Sequence, residues 1–231
     1  MTSRPVDLRT LLAAVARGDA EAVRAELRDG EIGDLLQLTG DGVHVVLDAG
    51  LDGGEDLART VIDGLRERDE LGDDVLAEDL EARLTGVVID ARRVAVNLDE
   101  VAYLLEGDPL EPGGFLDLHT GEVLHSALTD PAEVGEDAYV DVEEEPDRWL
   151  TLERLGSRDG WEDMAAFAAR QDDPLRELLE VAISGPGAFR RFRDVVDRHD
   201  LVDEWRAYAD DRTIGRARAY LAEEGIRARP H

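Results

Sequence analysis

The residue types best able to do chemistry cluster near the C-terminus. Ser184-Gly185-Pro186-Gly187 reads as a tight turn opening a helix, and Arg190, Arg191 and Arg193 fall within the first two turns of that helix. Free backbone N–H groups and the helix macrodipole favour an anion there, so Gly185, Gly187 and the three guanidiniums could hold a phosphate or a carboxylate. Trp205 and Tyr208, three apart on the next predicted helix, could extend the patch as stacking surfaces for a base or a peptide. The turn lacks the spacing of a Walker or dinucleotide loop. The preferred reading is therefore structural: Phe189, Phe192, Val195 and Val196 form a buried stripe and the arginines pair with nearby acids. Phe189, Phe192, Trp205 and Tyr208 would then make an aromatic centre.

Other candidates are weaker. Asp141, Glu143, Glu144, Glu145 and Asp147 could present oxygens to a divalent cation, but the run has neither the glycine nor the ligand spacing of an EF-hand loop and reads as a solvated connection. His44, His119, His125, His199 and His231 form no His-x-His or His-x3-His pair. Asp117 and His119, two apart on one face of a predicted strand, make a conceivable acid–base pair. Ser126, Ser157 and Ser184 stand outside any Gly-x-Ser-x-Gly context. No catalytic residue, metal ligand or cofactor is assigned on this pattern.

Composition narrows the function classes. The chain of 231 residues carries 26 Arg, no Lys and 55 Asp plus Glu, for a net charge of -29. With no Cys, disulfides, thiolate metal sites and thiol catalysis are excluded. Arg in place of every Lys reads as high-GC codon usage in preference to salt adaptation. The longest early apolar run, Leu11 to Ala16, stops at Arg17-Gly18-Asp19, short of a signal segment and far short of the ~20 residues that span a bilayer. A cytoplasmic protein with no membrane role is expected. Such charge repels nucleic acid, so a nucleic-acid role needs a local exception. Only residues 187–231, with 10 Arg against 9 acids, do not repel anions.

The elements that must position these residues follow from periodicity. Residues 7–84 read as short helices: Asp7 caps one carrying Leu8, Leu11, Leu12 and Val15, Gly18-Asp19 punctuates, and a second presents Val23 and Leu27. The wording of this hairpin looks like one ankyrin repeat, but no second copy follows at the ~33-residue period an array requires. Leu57, Val61, Ile62 and Leu65 mark a further helix, as do Val75, Leu76, Leu80 and Leu84, while Val43 to Leu47 fits helix or strand equally. Val87 to Leu98 reads as extended, and Asp99 as the cap of a short helix closed by Gly107. After Pro112-Gly113-Gly114, the strand Phe115 to Leu118 and the segment Glu122 to His125 form a hairpin turning at Gly121. Tyr139 to Val142 and Arg148 to Leu152 are two more predicted strands. Helices are predicted from Trp161 to Arg170, Pro174 to Ser184, Ala188 to Arg198, and Leu201 to Glu224 with a break near Asp210-Asp211.

The run Gly187-Ala188-Phe189-Arg190-Arg191-Phe192-Arg193-Asp194, followed by Trp205, Tyr208, Ala217 to Leu221 and Gly225-Ile226, resembles the bacterial uncharacterised protein family 0158 (UPF). Leu98 to Ala102, Thr120 to Val123, Asp147 to Leu150 and Trp161 to Phe167 agree in order, so the similarity covers roughly residues 95–226. Arg193 stands where Lys is commoner in that family, Arg206 where an aromatic often follows the Trp, and Pro186 in the turn before Gly187. The N-terminal helices look like the extension of longer actinobacterial members. The resemblance implies a fold and no catalytic residues.

The expectation is an α+β protein: a helical region over 1–86, then an α+β domain over 87–231 with a small antiparallel sheet in the middle of the chain and a C-terminal helical cluster. The expected role is a non-catalytic binding or regulatory module for a partner protein, its acidic face steering a basic partner and its Arg patch meeting an anionic group. Two alternatives are a phosphoryl-ligand or nucleic-acid binder acting through Gly187 to Arg193, and a hydrolase with dispersed carboxylates.

Overall fold

The structure, a computed structural model, describes residues 4–111 and 113–229. His231 and Pro112 lie outside the described residues. In the N-terminal part, β1 (Arg4–Pro5) pairs in parallel with β2 (Gly30–Glu31). Between them run α1 (Leu8–Ala16) and α2 (Ala20–Asp29). Both helices start on an aspartate whose side chain accepts a free first-turn amide, Asp7 from Thr10 at 2.9 Å and Asp19 from Ala22 at 3.1 Å. Next come α3 (Leu36–Asp48), α4 (Gly54–Arg68) and α5 (Asp73–Thr85). The ambiguous segment Val43 to Leu47 lies within α3. That helix is buried on most sides, which erases the amphipathic period that would have distinguished it. Gly40 and Gly42 make this burial possible: a Cβ there would stand 2.5 Å from Leu76 Cδ2 and 2.9 Å from Val23 Cγ1.

In the second part, β3 (Arg92–Ala95) leads into α6 (Leu98–Leu105). Val87 to Ala91 forms no strand, and Val87 and Val88 are exposed. Asn97, not Asp99, caps α6, its Oδ1 accepting the Asp99 amide at 3.0 Å; an aspartate one turn-position later complements the dipole equally well, and sequence spacing cannot separate the two. The hairpin forms as expected from β4 (Gly114–Asp117) and β5 (Val123–His125), with Gly121 at φ +80°. A short helix α7 (Pro131–Val134) and an irregular acidic stretch follow, then β6 (Trp149–Leu152), which pairs with β4 to complete the antiparallel order β5-β4-β6. Tyr139 to Val142 is not a strand: the Asp141 carboxylate takes the Glu143 amide at 2.9 Å and turns the chain locally.

The C-terminal helices are α8 (Arg158–Ala169), α9 (Asp173–Ile183), α10 (Ala188–Arg198) and α11 (Val202–Glu223), before β7 (Ile226–Arg229). β7 closes the chain by pairing in parallel with β3, Arg92 opposite Ile226 and Ala95 opposite Arg229. α11 is continuous through Asp210-Asp211, contrary to the expected break, because Asp211 points inward to Arg68 and the Gln37 amide at 2.6 and 2.7 Å. Among the described residues the buried core falls into three clusters. One lies within α1 to α5, one among β3, α6, the sheet and β7, and one among α8 to α10; α11 contributes to each through Ala207, Ile214, Ala217 and Leu221, and Tyr208.

Candidate functional site

Ser184 to Gly187 forms the turn expected before a helix, with Gly185 and Gly187 at φ +74° and +79°, a conformation costly for any residue with a Cβ. Arg191 folds back into that turn. Its Nε donates to the Ala182 carbonyl at 3.1 Å, and its terminal nitrogens donate to the carbonyls of Ser184, Gly185 and Pro186. Carbonyls left over at the end of α9 thus receive their donors from one guanidinium, which holds α9 against α10. Arg190 and Arg193 are exposed and make no hydrogen bond or ion pair within the described residues.

The buried face of α10 is Ala188, Phe192, Val195 and Val196. Phe189 is rotated one position off this stripe and is 51% exposed, a correction to its expected burial. Phe167 of α8 takes its place in the aromatic centre, with ring centroids 6.2 Å from Phe192, 5.2 Å from Trp205 and 5.5 Å from Tyr208. Trp205 packs 4.8 Å from Phe192. The Tyr208 hydroxyl accepts from Arg212 at 2.6 Å, and the Arg170 and Arg212 guanidiniums each lie 5.0 Å from its ring. The structure therefore does not bring Trp205 and Tyr208 to the surface beside Arg190 and Arg193.

What surrounds Phe189 is a groove. On one side it joins a cleft of about 160 Å³ shared with Leu105, Glu106, Leu155, Asp159 and Thr213. On the other it opens on a wider depression with Trp161, Ile183, Gly185 and Gly187. The ring lies over Gly160, where a Cβ would stand 3.4 Å away. Trp161 is fixed by its indole N–H on the Ile183 carbonyl at 3.1 Å. Leu155, Trp161 and Phe189 are 48%, 43% and 51% exposed, and Phe189 borders both depressions, with Leu155 in the first and Trp161 in the second. Phe189 was legible only as an aromatic at helical spacing; Leu155 and Trp161 carried no signal as surface residues.

Asp117 and His119 do not form a catalytic pair. Asp117 is buried beneath Arg148, whose Nε and Nη2 reach one carboxylate oxygen at 3.1 and 2.7 Å, while the amides of His119 and Thr120 donate to the other at 2.8 and 3.4 Å. Arg148 and these amides hold its carboxyl well below the usual carboxylate range. Its stabilising contribution is present above the unfolded pKa, near 3.9, and is lost as pH falls through the lower folded value. We expect Asp117→Asn to cost about 2 kcal/mol at pH 7, and urea unfolding to show the gap from wild type closing below about pH 4. His44 is pushed down to about 3 by burial and by the charges of Arg218, Arg83, Arg93 and Arg229. The acidic run 141–147 is exposed or half-buried, and Glu145 is spent on Arg148 at 2.8 Å.

Fold and site together define a mostly helical α+β protein with a small antiparallel sheet and solvent-facing apolar depressions at Phe189, on the same helix as Arg190 and Arg193. The chain belongs to the Uncharacterised protein family (UPF0158), whose family model matches residues 85–228. The groove and its arginines lie within that span. No curated protein and no solved structure matches the chain. No described helix is long and apolar enough to cross a membrane.

Proposed function

We propose that this protein is a non-catalytic binding module that recognises a partner protein through the groove around Phe189. The observation that carries this reading is the joined exposure of Leu155, Trp161 and Phe189 on a chain whose net charge is otherwise -29. Contiguous apolar surface rimmed by charge is the ordinary signature of a protein contact, and fixed aromatics give such contacts much of their energy. Arg190 and Arg193, which make no ion pair among the described residues, supply donors for a carboxylate on the partner's segment. Cytoplasmic residence accords with the absence of cysteine.

The test is quantitative capture from native lysate with wild type and with Phe189→Glu. Because Phe189 is half exposed, the variant should keep its melting temperature, and partners held by wild type should drop at least tenfold. An unchanged set of partners, or none above background with either protein, sinks the reading. The unpaired Arg190 and Arg193 also support a phosphoryl-ligand binder, although Arg191 is already occupied by backbone carbonyls. That alternative predicts a thermal shift with nucleotides that weakens with salt and vanishes in Arg190→Glu.

A further inference from the structure

The two largest hydrophobic clusters meet along α11, and one side of their seam is filled. There the contact is polar and tight: Arg218 donates to Gln37 and Asp41, and Gly215 packs on the backbone at Leu71. On the other side Val15 and Leu38 from the N-terminal cluster, and Val96, Leu98 and Ile214 from the second, line a cleft of about 200 Å³, with Leu12 at its rim 38% exposed. An apolar cleft between structural units, with a few convergent polar groups, is where small molecules bind.

The polar groups define the ligand. Asp41 and Asp99 line the cleft from α3 and from the first turn of α6. Asp41 is compensated by Arg218 at 2.8 Å, whereas Asp99 has no cationic partner within the described residues, and burial and the neighbouring Asp41 push its carboxyl up. Arg229 lines the same cleft, placed there by β7: its carbonyl accepts the Val96 amide at 3.3 Å, one residue before the cap of α6. Its guanidinium makes no ion pair within the described residues. A free carboxylate and a free guanidinium thus share one apolar cleft without pairing to each other.

We infer that this cleft binds a small zwitterion with an apolar body, of the apolar α-amino-acid class, its ammonium at Asp99, its carboxylate at Arg229 and its side chain between Leu12, Leu38 and Ile214. Because residues of α1 and α3 form one wall and residues of the β3–α6 connection, α6, α11 and β7 the other, the ligand ties the N-terminal helices to the family domain. The site is separate from the Phe189 groove and does not depend on it.

The experiment is calorimetric titration of the full chain with L-leucine and L-phenylalanine. Alongside them run 3-methylbutylamine and 4-methylpentanoate, which are leucine without its carboxylate and without its ammonium. At least one amino acid should bind in the micromolar to low millimolar range, and each one-charge analogue of leucine at least tenfold more weakly than leucine. Asp99→Asn should weaken the amino acid and the amine tenfold but spare 4-methylpentanoate; Arg229→Gln should do the reverse for the two analogues. Ala16→Leu, at an exposed position on the cleft wall, should fill the opening and abolish binding while the melting temperature holds. The inference is overturned if neither amino acid binds at 10 mM, if the one-charge analogues bind as well as leucine, or if Ala16→Leu leaves binding unchanged.

Discussion

Arg218→Ala should destabilise the protein by about 3–5 kcal/mol, a large share of the roughly 5–15 kcal/mol available to a protein of ordinary stability. Arg218 is 1% exposed, the largest of the fully buried side chains. Its Nε donates to Gln37 Oε1 at 2.7 Å and its Nη2 to Asp41 Oδ1 at 2.8 Å, while Gln37 in turn donates to Asp73 at 2.8 Å and Asp73 accepts two bonds from Arg68 at 2.8 and 2.6 Å. Removing the guanidinium leaves Asp41, whose side chain is only 15% exposed, as a charge with no counterion, and a hole where the aliphatic stem was. Urea unfolding should show a lower midpoint, and added salt should not mimic the loss, because the pair is shielded from solvent ions. Asp41→Leu in the Arg218→Met background should recover part of the loss by removing the stranded carboxylate. If the double variant is no more stable than the single, the penalty is packing and not charge.

Gly72→Ala is expected to cost about 3 kcal/mol. Two terms add: Gly72 sits at φ +83°, and its Cβ would stand 2.1 Å from the Gly215 carbonyl oxygen, a backbone atom of α11 that cannot swing aside. The reciprocal contact is as close, since a Cβ on Gly215 would meet the Leu71 oxygen at 2.4 Å. Gly50→Ala is the control, because Gly50 has φ +65° with open space around it and so carries the conformational term alone, about 1 kcal/mol. Differential scanning calorimetry of the two variants separates the terms; equal losses would mean that α5 and α11 yield easily and that their contact is soft.

The candidate site was legible in part. The turn at Gly185 and Gly187 and the helix after it follow from glycine, proline and the spacing of Phe192, Val195 and Val196. What Arg191 does was not legible, because its acceptors are carbonyls, which every residue has and which carry no sequence signal. Phe167 stands in the aromatic centre where Phe189 was expected for a related reason: aromatics on neighbouring helices are equivalent in composition, and only the rotation of α10 on its partners decides which ring is covered. The groove's other walls come from the β6–α8 connection and α6, segments whose apolar residues are indistinguishable in sequence from core.

The sequence by itself determined the cap at Asp7, the break between α1 and α2 at Gly18-Asp19, the hairpin turning at Gly121, the positions of the C-terminal helices, the excess of acid, and the family. Each depends on residues within about four positions of one another, or on composition, where chain connectivity supplies the proximity. Tertiary structure alone decided that β3 pairs with β7, that α11 runs unbroken through Asp211, and that Arg218 finds Gln37 at a separation of 181 residues. A buried charge pattern has no local period, and an aspartate inside a helix reads as a break until the arginine that satisfies it is brought in from another part of the chain. The clefts belong to the same class, since a cavity is defined by surfaces that meet only after the three cores have packed around α11.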